Sequence, residues 1–193
     1  MANTTKRKLV EKAERSLWQN GYDGTSINAL VADAGVSKGA FFHHYPNKRA
    51  IILDVLDKYA QDRIFAPLEA CADRESVKES LFSWIESIFR DYEQADFKSG
   101  CLLGNSALEL SDEDEAIRER IRDIVLQWEN RLVNLLKPLA AEDKLLMEPR
   151  QLARLLIAAV EGTVLTSKVH KDSIRASREF QALFQLIELM IKD

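Results

Sequence analysis

Apolar positions recur along the chain at intervals of three and four, the period of a helix with one buried face. Leu9, Val10, Ala13 and Leu17 form one such stripe, over about Thr5 to Asn20. Ile27, Leu30, Val31 and Ala34 form a second, and Phe41 and Tyr45 lie four apart on a third. Ile51, Ile52, Val55, Leu56 and Tyr59 predict a fourth helix from Asn47 or Lys48 to about Ile64. Pro67 and the stretch Glu69 to Glu75 mark a break. Beyond it Val77, Leu81, Trp84, Ile85, Ile88, Phe89 and Tyr92 share a face, and a longer stripe runs from Ile117 to Leu136 with Pro138 expected to end it. Leu152, Leu155, Leu156, Ala159, Val160 and Thr163 follow Pro149, and Phe180 to Ile191 closes the chain. No internal repeat or low-complexity segment interrupts this order. The pattern predicts an all-α fold, and 7 Gly and 4 Pro in 193 residues are few turn formers, which agrees.

Polar punctuation sharpens the stretch Gly21 to Lys48. Thr25 and Ser26 are N-cap types ahead of the second stripe, and Gly35 stands where a helix ends in a left-handed residue. Ser37 is placed to cap the next helix, Lys38 to about His44, which Pro46 stops, and Asn47 can cap the one after. Helix, short glycine-containing turn, helix is the helix-turn-helix, whose second helix enters the major groove. With Phe41 and Tyr45 toward the core, Lys38, Gly39, Ala40, Phe42 and His43 form its exposed set. Gly39 and Ala40 let the backbone approach a groove, Ala40 and Phe42 suit thymine methyls, and Lys38 suits guanine acceptors.

The stretch GTSINALVADAGVSKGAFFHHYPNKRAI resembles the N-terminal DNA-binding domain of the TetR family of bacterial repressors. The likeness spans roughly residues 5 to 60 and rests on several spaced features together: the Gly-aromatic turn, Thr-Ser at a helix start, A-G-V-S-K-G, an aromatic cluster, then Pro-Asn-Lys. It implies an N-terminal three-helix helix-turn-helix domain over 1–48, a connecting helix over about 47–65, and a C-terminal helical effector-binding and dimerisation domain over 66–193. It also implies phosphate contacts by Thr25, Ser26, His44 and Lys48, with Ser37 in the same DNA-binding set. Phe42 and His44 depart from the tyrosines common there; His44 can still donate to a phosphate, whereas Phe42 cannot. The partners implied are a double-stranded DNA operator and a second copy of the chain, paired through the two C-terminal helices, where Ala158, Ala159, Gly162 and Thr163 allow close approach. Pairing also follows from function, because one short helix reads too few bases.

Charge separates the chain in the same place. Residues 1–49 hold eight basic side chains against four acidic ones, a surplus of +4, while the whole chain carries −4, which leaves −8 for the rest. A basic head on an acidic body suits attraction of one end to nucleic acid. Lys6, Arg7 and Lys8 at the first helix start oppose the macrodipole, and a phosphate there would supply the missing negative charge.

Other chemistry is sparse. No apolar run approaches the roughly 18 residues of a membrane span, and the N-terminus has no apolar signal core, so a cytoplasmic protein without membrane contact is expected. No nucleophile is paired with a base, no glycine-rich phosphate loop occurs, and no metal or cofactor spacing is evident, so no enzyme is expected. His43 and His44 point about 100° apart on a helix and do not converge on one ion. Cys101 falls in the first turn of a helix that Ser99 can cap, near Lys98; such a thiol is either a sensor for an oxidant or electrophile or a small buried hydrophobe. Cys71 lies near the break and is expected to be exposed. The family resemblance places an unidentified small-molecule effector among Trp84, Phe89, Tyr92, Leu103, Trp128 and Thr163, with Asn105, Ser106 and Glu109 as its polar groups; the aromatic stripes equally suit a core. The competing reading is a helical protein-interaction module without specific DNA binding.

Overall fold

Ten α-helices and no strand make up the residues that the computed structural model describes, 2–72, 74–98 and 100–192, with side chains from Thr4 onward. The first four are α1 (Ala2–Gly24), α2 (Ile27–Ala34), α3 (Lys38–His44) and α4 (Lys48–Tyr59). A π-helical turn, Ala60–Phe65, continues α4 into α5 (Ala66–Ala70). The remainder are α6 (Val77–Gln94), α7 (Leu102–Leu110), α8 (Glu115–Ala141), α9 (Pro149–His170) and α10 (Ser173–Met190). None of the described helices is long and apolar enough to cross a membrane.

The short helices exist because their ends are satisfied. Ser26 Oγ accepts from Ala29 N at 3.2 Å, Ser37 Oγ from Ala40 N at 3.1 Å and Asn47 Oδ1 from Ala50 N at 2.9 Å. Gly35 closes α2 at φ 65°, and Val36 N reaches back to Val31 O at 3.0 Å. The long helices follow their own signals. Asp114 Oδ1 accepts from Ala116 N and Ile117 N at the head of α8, and Asp172 Oδ1 from Ile174 N and Arg175 N at the head of α10. Pro149 opens α9 at a position where its missing N–H costs nothing.

Three expected boundaries move. α1 begins at Ala2, so Lys6, Arg7 and Lys8 lie beyond its first turn. Lys6 has its anion within the chain, Asp54 at 2.7 Å, and Arg7 pairs with Glu11 at 3.6 Å. Pro138 does not end α8; it sits in the last turn and the helix runs to Ala141. The connecting helix widens to π geometry after Tyr59 instead of continuing as α to Ile64.

The helices form two compact units that do not follow chain order. One holds Met1–Gln61 together with Leu102–Ile124; the other holds Asp62–Cys101 and Val125–Asp193. Residues 102–124, which carry α7, group with the N-terminal unit because α7 packs on α1 and α4. That unit's core is Leu9, Ala13 and Leu17 of α1, Leu30 of α2, Phe41 of α3, and Ile51, Ile52, Val55 and Leu56 of α4, all buried. In the second unit α10 packs on α6 and α9. The ring pairs Phe82–Phe184 and Phe89–Phe180, 4.9 and 5.2 Å between centroids, join α6 to α10. Glu129 of α8 is buried there and accepts from the guanidinium groups of Arg150 and Arg154 on α9. Burial alone would raise its pKa; those two cations outweigh it and hold the carboxyl below its ordinary range.

Candidate nucleic-acid interface and sensor segment

α3 has one buried side and one open side. Phe41 is 0% exposed and Tyr45, just past the helix, is also buried. The two rings lie 5.8 Å apart. Tyr45 Oη donates to Asp54 Oδ2 at 2.8 Å, and burial, then this bond, push its hydroxyl far above the ordinary phenol range. With α3 fixed from below, Lys38, Gly39, Phe42 and His43 are exposed and Ala40 and His44 half-buried. Phe42 is 48% exposed, which is unusual for a large apolar ring. The His43 and His44 rings stand 5.1 Å apart at 70°, and no group of three metal-binding side chains occurs among the described residues.

Thr25 departs from its expected place on the phosphate face. It is 0% exposed; its Oγ1 donates to Gly21 O at 2.8 Å and meets Ser16 Oγ at 3.1 Å. Only Ser26 of the Thr-Ser pair caps α2, and Ser26 is exposed. Lys48 is half-buried: its Nζ donates to Tyr22 O at 2.9 Å and stands 3.8 Å from the Tyr22 ring centroid. Beside it Arg49 Nε donates to Asp114 Oδ2 at 2.6 Å. Sequence reasoning gave Glu109 only as a polar group for an effector cavity, not as the acceptor for this turn. Its Oε1 accepts from Tyr22 N at 2.8 Å and from Asp23 N at 3.4 Å. Those partners are 87 and 86 positions away, so no local pattern signals them.

Cys101 immediately precedes α7 rather than lying in its first turn, and the expected cap Ser99 falls outside the described residues. The thiol is 6% exposed, and its S–H donates to the carboxylate of Glu161 on α9. Burial raises the Glu161 pKa, and the bond from Cys101 only partly offsets this. Lys98, expected to favour a thiolate, pairs with Asp96 at 2.9 Å. The thiol is thus a buried, hydrogen-bonded one. Cys71, expected to be exposed, is buried and free.

The proposed effector side chains divide between the units. Leu103 and Asn105 lie on α7 with the first; Trp84, Phe89, Tyr92, Trp128 and Thr163 lie in the second. Trp84 and Trp128 are buried and meet edge to face at 6.2 Å. Thr163 Oγ1 donates to Ala159 O of its own helix. Phe89 turns toward α10, where with Glu86, Arg90, Phe180 and Phe184 it lines an open groove of about 290 Å³. Trp128 Nε1 and Ser167 Oγ are buried with no hydrogen-bond partner, as is Ser106 Oγ of α7. Ser167 was not singled out in the sequence, where it reads as one more small residue of α9.

Two family models match this chain. Residues 9–55 match that of the bacterial regulatory proteins of the tetR family, and residues 78–183 that of the tetracyclin repressor-like C-terminal domain. The chain belongs to the tetR family of bacterial transcriptional regulators, and its helix-turn-helix is the DNA-binding part. An HTH-type transcriptional regulator in the lacX 3′ region of Lactococcus lactis subsp. lactis is 28% identical over 169 residues, covering 87% of this chain and 85% of that one. The HTH-type transcriptional repressor DhaR of Mycobacterium sp. (strain GP1) is 27% identical over 177 residues, covering 89% and 87%. Among solved structures, a TetR-family regulator from Cytophaga hutchinsonii superposes with a TM-score of 0.87 at 24% identity, covering 100% of this chain and 97% of that one. The reduced form of E. coli NemR does so with a TM-score of 0.85 at 22% identity, covering 97% and 96%. At such identities these two structures speak for the fold.

Proposed function

We propose that this regulator is a repressor that works as a dimer on a palindromic operator, and that it leaves the DNA when a small molecule binds or when Cys101 is modified. The observation that carries the DNA face is α3 itself, anchored by buried Phe41 and open on the other side. In this reading Lys38, Gly39, Ala40, Phe42 and His43 meet base edges, while Ser26, Ser37, His44 and Lys48 meet phosphates. Thr25 drops out of that set because its hydroxyl bonds inside the head.

Pairing through the last two helices is supported by an exposed stripe on α9. Leu155, Ala158, Gly162, Leu165 and Val169 follow one another at steps of three and four, and Leu155, Leu165 and Val169 are exposed large apolar residues. On α10 Ile174 and Leu189 are exposed as well. A second copy of the same stripe would cover it by two-fold symmetry. The buried Trp128 N–H without an acceptor supports a ligand that carries one, such as a carbonyl compound. At Cys101, Glu161 is placed to take the thiol proton as sulfur adds to the carbon–carbon double bond of a conjugated carbonyl compound, whose π electron pair passes to the carbonyl oxygen. The name of DhaR as a repressor supports repression here.

The test is binding of the intact chain to DNA flanking its own gene across a salt series, with and without a thiol reagent. Specific binding that is lost on modification and kept in Cys101→Ser would support the thiol switch. Specific binding that ignores the reagent would refute it and leave the reversible ligand. A dimer that survives Gly162→Leu unchanged would count against the α9 stripe as the pairing surface.

A further inference from the structure

The turn that leads into the DNA-reading helices is held from outside its own segment. Gly21 breaks α1 at φ 70° and ψ −175°, which takes the N–H groups just after it out of the regular ladder. Glu109 of α7 receives them, Tyr22 N at 2.8 Å and Asp23 N at 3.4 Å. Its carboxylate therefore does for this turn what an N-cap side chain does for a helix, but from a helix remote in sequence. The approach is close: a Cβ on Gly21 would stand 2.9 Å from Glu109 Oε1 and 3.0 Å from Oε2. The opposite side of Tyr22 is also taken, its carbonyl and ring by Lys48 of α4. Thr25 then binds back to the same turn, through its N to Tyr22 O at 3.1 Å and its hydroxyl to Gly21 O. The next residue is Ser26, the cap of α2.

We propose that Glu109 is a positioning residue for operator recognition: from α7 its carboxylate fixes the Gly21–Ser26 turn, and through it the seating of α2 and α3. It touches no DNA. The inference rests on the reading of α3 as the helix that meets the bases.

Simple electrostatics makes the test sharp, because it predicts the opposite sign. Removing an exposed carboxylate from a DNA-binding unit strengthens attraction to phosphate. Positioning predicts instead that Glu109→Ala weakens binding to the preferred sequence, while Glu109→Gln, which loses the same charge but keeps a carbonyl acceptor, does not. The experiment selects a preferred duplex from a random pool with the unaltered chain. It then measures all three full-length proteins on that duplex and on a scrambled one, with thermal unfolding alongside. The expected result is about a tenfold loss for Glu109→Ala on the selected duplex, no loss on the scrambled one, a similar melting temperature, and Glu109→Gln at least as tight as the parent on both. Glu109→Ala binding the selected duplex as tightly as Glu109→Gln overturns the proposal. Equal loss on both duplexes together with a fallen melting temperature also overturns it, since that is stability alone. If the unaltered chain selects no sequence at all, the reading of α3 fails and takes this inference with it.

Discussion

α2 and α3 on one side and α9 and α10 on the other are both helix pairs, yet they are held by different means. α2 and α3 have 8 and 7 residues, whereas α9 and α10 have 22 and 18. Helices as short as the first pair are marginal in isolation, so their ends and one or two anchors decide whether they exist. Ser26, Gly35 and Ser37 satisfy those ends, and Phe41 is the anchor. The longer pair is held by repeated apolar contacts, Leu152, Leu156, Val160 and Val164 against Phe180, Leu183 and Ile187, all buried. A reading surface can thus be small because a few polar bonds fix it, while a packing surface must be long because each contact contributes little.

That contrast can be broken most forcefully at the anchor. Phe41→Ala should cost about 3–5 kcal/mol and abolish operator binding, whereas Leu156→Ala in α9, at about 2–5 kcal/mol, should lower stability and leave binding by the remaining folded protein unchanged. Urea unfolding and DNA titration on both variants decide it; equal effects of the two on DNA binding would count against the distinction. Next in size are the caps. Ser37→Ala and Asp172→Ala should each cost about 1 kcal/mol of stability, but only the first should also weaken DNA binding.

The smallest effect expected is in the pH dependence of the second unit, where two carboxylates shift in opposite directions. Glu161 is raised by burial, so the folded chain holds its proton more tightly than the unfolded chain. Its contribution is greatest below the unfolded value of about 4.3 and declines as pH rises from there toward the raised folded value. Glu129 is lowered by Arg154 and Arg150 despite its burial, so its contribution is present above about 4.3 and is lost as pH falls through the folded value. Thermal unfolding from acid to neutral pH should therefore show a flatter decline above pH of about 4.3 in Glu161→Gln than in the parent chain. An unchanged profile would mean that Glu161 is no more buried from water than an ordinary surface acid.

The reading pair was legible because its determinants are local. Serines three residues ahead of the N–H they accept, a glycine at a helix end and an aromatic four residues from the next can all be read along the chain. What was missed depends on distance. Glu109 reads as a polar group for a cavity until the fold sets it against Tyr22, and Glu161 as a surface residue of α9 until Cys101 lies beside it. The same holds for α7, whose apolar stripe predicts a helix but not which unit it joins. Thr25 and Ser26 are equally good caps by chemistry, and only the burial of Thr25 separates them. Pro138 looked like a stop because an interior proline removes a bond from the ladder, but α8 gives up that bond and still runs to Ala141.

The two-segment make-up of the first unit bears on how such genes can recombine. A crossover at residue 61 would deliver a new head without the α7 and early α8 that complete it, leaving Glu109 and Asp114 of one parent to meet the turn and the Arg49 position of another. On the proposed role of Glu109, DNA specificity and residues 102–124 are inherited as one trait although forty residues of the other unit lie between them in the gene. A hybrid regulator made by exchanging heads would have to carry both segments across together.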